Sequence, residues 1–190
     1  QQERLEEIIL SVARSETRRE KICEKGAVIS RKDIQLAWPA TGADMLTISP
    51  GVRVQKSQAG GGSPVLRGFE ANRVLLVIDG VRLNNAIFRT GHLHNAITVN
   101  PHNIERVEVI FGSSSVGYGS DAVGGVVHYY TKSPLVNSNE KFKSSFSTHF
   151  QSANWGSTNN ATTVLSFKKW ASLTSLSYSN FGDLRMGKRR

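Results

Sequence analysis

The sequence predicts an α+β domain of short strands and helices, followed by longer antiparallel β-segments. Three observations predict it. Two capping boxes, Ser30–Asp33 and Thr41–Asp44, open short helices among brief apolar runs. Asp79-Gly80 sits between the apolar runs of "RVLLVIDGVRL", a hairpin signal. After Pro134 the segments lengthen to roughly ten residues and alternate aromatic with small polar side chains.

The elements follow in order. "LEEIILSVARSETRREK" sets Leu5, Ile8, Ile9 and Val12 at helical spacing, which predicts an amphipathic helix. "GAVIS" is a short strand. The Ser30 box opens a helix through Ala37, and the Thr41 box one that stops at Pro50-Gly51. "VRVQKS" (52–57) alternates as a strand, "QAGGGSP" (58–64) is a loop, and "VLRGF" is extended. After the 73–83 hairpin, residues 84–100 are polar and irregular, and Asn100–Ile104 make one helical turn. "ERVEVIF" (105–111) places Val107, Val109 and Phe111 on one face and Arg106 and Glu108 on the other. Residues 123–131 form a further strand.

The tail changes character. "KFKSSFSTHFQ" (141–151) puts Phe142, Phe146 and Phe150 on one face and Lys143, Ser145, Ser147, His149 and Gln151 on the other. "SANWGSTNN" is expected as turn, and "ATTVLSFKKW" and "ASLTSLSYSN" as two more strands. Aromatic-out, polar-in strands of this length fit a transmembrane β-barrel with a wet lumen. A surface-exposed meander shares the same period of two.

Composition narrows the function. The chain has 190 residues and a net charge of +9. Residues 1–33 carry eight basic and seven acidic side chains, 34–131 seven and six, and 132–190 nine and two. The excess thus lies at the C-terminal end, around Lys168, Lys169 and "RMGKRR", and not on the folded core as a nucleic-acid domain requires. Cys23 is alone, which excludes an internal disulfide or a CxxC metal site. No apolar run approaches a membrane-spanning helix, and no signal peptide opens the chain. Gln1 fits either a mature terminus or a cut inside a longer chain.

The stretch "EVIFGSSSVGYGSDAVGGVVHYYTKS" (108–133) raises the question of a nucleotide loop. Gly117–Ala122 satisfies G-x-G-x-x-G/A, but such a site must open into a helix, and here a β-type run follows. The reading is strand, glycine turn, strand. Serines 113–115 lack the His/Asp companions of a nucleophile. His92 and His94 stand two apart, and His102, His128 and His149 are scattered, so neither metal nor cofactor is expected.

The blocks "ISRKDI" (29–34), "PGVRVQ" (50–55), "LRGFEANRVLLVIDGVRLNN" (66–85) and "IERVEVIFGSSSVGYGSDAVGGVVHYYTKSP" (104–134) carry a resemblance. Residues 5–134 resemble the plug domain of TonB-dependent outer-membrane receptors. The resemblance implies a leader over 1–23, a plug over 24–134, and the first three strands of a truncated 22-stranded barrel over 135–190. It implies an active-transport receptor in the bacterial outer membrane, not an enzyme. The plug would lie in the lumen with its N-terminus periplasmic. A scarce nutrient of iron-chelate, haem or cobalamin type would be the ligand. Its partners would be the energy-coupling protein TonB, outer-membrane lipid and that ligand, with no nucleic acid. Three strands cannot close a barrel, so 190 residues would be a piece of a longer receptor.

The resemblance also nominates residues. Glu6, Glu7, Ile8, Ile9 and Leu10 sit where the TonB-contacting box belongs, where the same residues also read as helix or disordered leader. Arg67, Arg106 and Glu108 occur in blocks that face the barrel wall, as ionic latches or as solvated strand edges. Apical loops would carry the plug's share of the ligand site: Gln58 in the first, and Asn84, Asn85, Phe88, Arg89, His92 and His94 in the second. Lys168 and Lys169 would flank a periplasmic turn. The competing reading is a soluble binding or signalling module on a plug-like fold. It differs in burying the Phe142/Phe146/Phe150 face in protein.

Overall fold

A computed structural model describes residues 8–9, 17–18, 26–56, 62–70, 73–83, 96, 98–112, 118–119, 122–152 and 155–182. The chain divides into two compact units, Gln1–Thr131 and Lys132–Arg190.

The first unit is built on a mixed five-stranded sheet. Its strands are β3 (Gly26–Ser30), β6 (Val74–Ile78), β7 (Val81–Arg82), β8 (Ile104–Phe111) and β9 (Gly125–Thr131), in the order β3-β8-β9-β6-β7. All neighbours are antiparallel except β6 and β9, which run parallel. Strand β6 is apolar on both faces, as is the start of β9, because both faces are covered there. On one face Val74, Leu76, Val107, Val109, Phe111, Val127 and Tyr129 pack with Ala43, Met45, Leu46 and Leu66. On the other, Leu75, Val77, Ile110 and Val126 pack with Tyr118 and Ala122 of the glycine turn.

Both capping boxes form helices. Helix α1 (Arg31–Ala37) starts at Ser30, whose hydroxyl accepts from the Asp33 amide while the Asp33 carboxylate accepts from the Ser30 amide. Such a box stabilises a short helix by ~1 kcal/mol. It ends at Trp38 in a left-handed conformation, just before Pro39. Helix α2 (Gly42–Leu46) starts at Thr41, which accepts from the Asp44 amide. It is shorter than the expected run to Pro50, and its buried side chains cover the main core.

A separate hairpin, β4 (Val52–Gln55) with β5 (Ser63–Leu66), brackets the first glycine-rich loop. A 3-10 turn at Pro101–Asn103 leads into β8, as the Asn-Pro signal predicts. At the N-terminus, β1 (Ile8–Ile9) pairs antiparallel with β2 (Thr17–Arg18). This corrects the helix expected from the spacing of Leu5, Ile8, Ile9 and Val12: Ile8 and Ile9 are extended. Adjacent β-branched residues satisfy strand pairing as readily as a helical stripe.

The second unit is one antiparallel sheet, β10 (Phe142–Gln151), β11 (Gly156–Ser166) and β12 (Ala171–Asn180), in chain order. "GSTNN", expected as turn, is the first half of β11. Its Asn160 amide donates to the hydroxyls of Ser175 and Ser177, so cross-strand polar pairs take over where β-propensity is low. Among the described residues there is no closed barrel, and no helix is long and apolar enough to cross a membrane.

Candidate functional site

Two of the expected latch residues, Arg106 and Glu108, fall on the polar end of the sheet of the first unit. Alternation on β8 places Arg106, Glu108 and Ile110 on one face, as the sequence predicts. Register then places Tyr130 opposite Arg106 and His128 opposite Glu108. Glu108 is fully buried, which excludes the solvated-edge reading for it. Its carboxylate accepts from Arg106 Nε at 2.9 Å and from the Tyr130 hydroxyl at 3.4 Å. The Arg106 guanidinium lies 3.9 Å from the Tyr130 ring centroid, and Tyr130 stacks on His128 at 4.1 Å. A buried carboxylate requires such partners. Burial, and then the Glu108 charge, raise the Tyr130 phenol far above its ordinary range. The ring therefore remains a neutral donor at any physiological pH.

Arg67 is placed differently. It follows β5 with a positive φ of 48° and reaches the Phe111 ring at 5.3 Å. It is exposed, and among the described residues no carboxylate pairs with it.

Besides Tyr130, sequence reading missed three members of this region. His128 is buried and its Nε2 accepts from the Gly80 amide at 3.1 Å. Asp79 accepts from the Thr131 amide at 2.9 Å and from its hydroxyl at 2.6 Å. Arg82 donates to the Tyr118 carbonyl and so holds the glycine turn from the edge strand β7. The "DGVR" quartet thus serves as more than a hairpin turn: its side chains clasp β9 and the glycine turn. The alternation of Val126, His128 and Tyr130 opposite Arg106 and Glu108 was the available signal. Using it required the register of β8 against β9.

The glycine question is answered by packing. At Gly125, φ is 144°, and a Cβ would overlap the Ile110 carbonyl and meet Leu66 Cδ1 at 2.8 Å. Its neighbour Gly124 lies against Phe69 and the Arg73 carbonyl. The turn leads into strand β9, so the helix that a dinucleotide loop needs is missing there.

Of the TonB-contact candidates, Ile8 and Ile9 are extended and paired, with Ile8 opposite Arg18 and Ile9 opposite Thr17. Glu6, Glu7 and Leu10 lie outside the described residues. So do all the expected ligand contacts, Gln58, Asn84, Asn85, Phe88, Arg89, His92 and His94. The frames that carry their loops, β4–β5 and β6–β7, are described. No group of three or more His, Cys, Asp or Glu side chains could hold a metal among the described residues.

The second unit has two unlike faces. Phe142, Phe146 and Phe150 share one with Ala161, Leu165, Leu176 and Tyr178, and both Phe146 and Leu176 are 73% exposed. The opposite face carries Ser145, Asn160, Thr162, Ser175 and Ser177, the last four joined by side-chain hydrogen bonds. Aromatic pairs mark both ends: Phe150 with Trp155 at 5.9 Å, and Phe167 stacked on Trp170 at 4.3 Å. Ten residues extend about 33 Å, and a tilt of about 45° turns this into a rise of about 23 Å. That is the height of the apolar band of an outer-membrane barrel, between its two aromatic girdles.

Comparison with known proteins agrees with this geometry. The family model of the TonB-dependent receptor plug domain matches residues 23–126. The vitamin B12 transporter BtuB of Vibrio vulnificus is 34% identical over 128 residues, covering 66% of this chain and 20% of that protein. The hemin receptor of Yersinia pestis is 41% identical over 93 residues, covering 48% of this chain and 13% of that protein. The chain therefore spans about a fifth or less of the length of these curated relatives. Among solved structures, Pseudomonas aeruginosa FpvA bound to a heterologous iron pyoverdine aligns with a TM-score of 0.74 at 15% identity, over 92% of this chain and 22% of that one. The Serratia marcescens hemophore receptor HasR, in complex with its hemophore and heme, aligns with a TM-score of 0.72 at 20% identity, over 85% of this chain and 25% of that one. A sheet closed by a glycine turn, clasped by "DGVR" and matched by the family model along more than half its length, assigns the chain to the family of TonB-dependent receptor plug domains.

Proposed function

We propose that the chain is the plug and first barrel strands of an outer-membrane receptor that binds a scarce nutrient and imports it with energy transmitted by TonB. The observation that carries this reading is the amphipathic sheet β10–β12, which follows a plug-family domain. Its aromatic, exposed face has the height of a bilayer core, and its other face is a polar ladder suited to a wet lumen. A soluble module would have to bury the Phe142, Phe146 and Phe150 face in further protein.

In this reading residues 24–134 fill the lumen and 135–190 begin the wall. Arg67, exposed and without a carboxylate partner among the described residues, is the side chain free to latch onto the wall. Arg106 and Glu108 pair with each other on β8, and the partly exposed Arg106 is the member of that pair within reach of a wall. Residues 6–10 add a strand to TonB by β-augmentation. The ligand is a metal chelate, haem or a cobalamin, in keeping with relatives named for vitamin B12 and hemin. The receptor provides binding, gating and passage, and no covalent step is assigned to it.

Fractionation and uptake test the proposal. The full-length receptor is expected in the outer membrane. Cells carrying it should take up one of iron chelate, haem or cobalamin, and lose that uptake when the proton-motive force is collapsed. Recovery in the soluble fraction, or uptake indifferent to the proton-motive force, would overturn it.

A further inference from the structure

The strongest unassigned feature is the environment of His128. Its ring is buried on the polar face of the sheet, between Tyr130 of its own strand and the β6–β7 turn. Nε2 accepts from the Gly80 amide at 3.1 Å, so Nε2 bears no proton and the neutral ring carries its hydrogen on Nδ1. Nδ1 is buried and without a hydrogen-bond partner. Among the described residues, the charged and titratable groups around the ring come from three sides. Glu108 and Arg106 approach from β8, Asp79 from the turn, and Tyr130 from β9, with Tyr118 of the glycine turn beyond Tyr130.

We propose that His128 is a proton-operated catch that holds Gly80, and with it the start of β7, against β9 when neutral and releases them when Nε2 is protonated. A protonated Nε2 donates and cannot accept, so the Gly80 amide loses its acceptor. The release reaches further than one bond. Gly80 is followed directly by β7, whose Arg82 donates to the Tyr118 carbonyl and fixes the glycine turn. Asp79 keeps its two bonds from Thr131, so the turn loosens on the β7 side and stays tethered at β9.

The pH window follows from the environment. Burial lowers the imidazole pKa, opposed by the attraction of Glu108 and Asp79 and assisted by Arg106. Below about pH 6.5 the unfolded chain takes up the proton before the folded one does. The stabilisation from neutral His128 is therefore complete above that pH and is lost as pH falls towards the folded value. This catch belongs to the plug fold itself and does not depend on which nutrient is carried.

Hydrogen exchange on the full-length receptor in detergent tests the catch. Exchange in peptides covering 74–83 is followed from acid to neutral pH and corrected for the intrinsic pH dependence of amide exchange. In the unaltered protein, protection of this segment is expected to fall as pH drops below about 6.5, the ordinary value for histidine. In His128→Gln, whose amide oxygen can accept from Gly80 but cannot titrate, the profile is expected to be flat. Parallel profiles would overturn the proposal. If the variant does not fold, an NMR titration of the histidine ring in the unaltered receptor decides. A His128 pKa below about 6.5, with the 74–83 transition at the same pH, supports the catch. A value at or above that overturns it.

Discussion

The guanidinium of Arg82 donates to the carbonyl of Tyr118 and lies against Gly119, which has a φ of 97°. A side chain on the two-residue edge strand β7 thus fixes a turn more than thirty positions later in the chain. Arg82→Ala should destabilise the first unit by ~1.5–3 kcal/mol, the range for a hydrogen bond to a charged group. Arg82→Lys should restore part of this through its point charge. Denaturant midpoints of the two variants, with limited proteolysis at 112–124, provide the measurement. Equal midpoints in Arg82→Ala and the parent would remove the clasp.

Gly125 stands where β9 leaves the glycine turn. Valine there meets the Ile110 carbonyl and Leu66 and must adopt a φ that β-branched residues avoid. Gly125→Val is expected to cost on the order of 1–3 kcal/mol from overpacking, before any backbone strain is added. Thermal unfolding checks this, and an unchanged midpoint would count against close packing.

The proposed membrane face gives a directional test. Phe146 lies at the middle of β10 on the aromatic face, and Ser145 beside it on the polar face. Phe146→Lys should destabilise the inserted barrel by roughly 2–4 kcal/mol, the cost of a lysine at the bilayer midplane. Ser145→Lys should be tolerated. Refolding of the full-length receptor into lipid vesicles compares them, and the reverse order of effects would place lipid on the other face.

The proposed coupling to TonB rests on the extended Ile8–Ile9 pair. Proline at either position removes a ladder donor. Ile8→Pro or Ile9→Pro should abolish uptake while ligand affinity is unchanged. Full uptake by both variants would exclude residues 6–10 as the added strand.

Ligand binding is proposed for the second apical loop. Replacing Arg89, His92 and His94 together by alanine should weaken affinity at least about fivefold, or ~1 kcal/mol. Titration with the transported nutrient measures it. A change under about twofold, ~0.4 kcal/mol, would remove these side chains from the site.

The sequence made the elements of both units legible wherever a local rule decides structure. Ser30–Asp33 and Asp79-Gly80 are such cases, because caps and tight turns are governed by the residues that form them. The first half of strand β11 escaped because "GSTNN" has low strand propensity and its Asn160 is held by Ser175 and Ser177 of the next strand. Ile8 and Ile9 escaped because their spacing serves a helix and a strand alike. The family was legible from "YGSDAVGGVV" and "LVIDGVR", whose spacing a packed turn and its clasp require. The polar cluster was half legible: Arg106 and Glu108 share a face by alternation, whereas Tyr130 and His128 join them only through register across a turn.

The two sheets differ in how far apart in sequence their partners lie. In β10–β12 every strand pairs with its successor, and short turns close each hairpin. In the first unit β3 waits for β8, and β6 waits for β9 in a parallel pair. Loop closure makes such distant pairings slow, while hairpins form in microseconds. The local sheet can therefore form early, whereas the first unit cannot complete its sheet until Thr131 is available. During synthesis or refolding, β3 has no partner, and β6 only β7, until the later strands arrive. A holdase that shields edge strands should raise the yield of the folded first unit and leave the hairpins of the second unaffected.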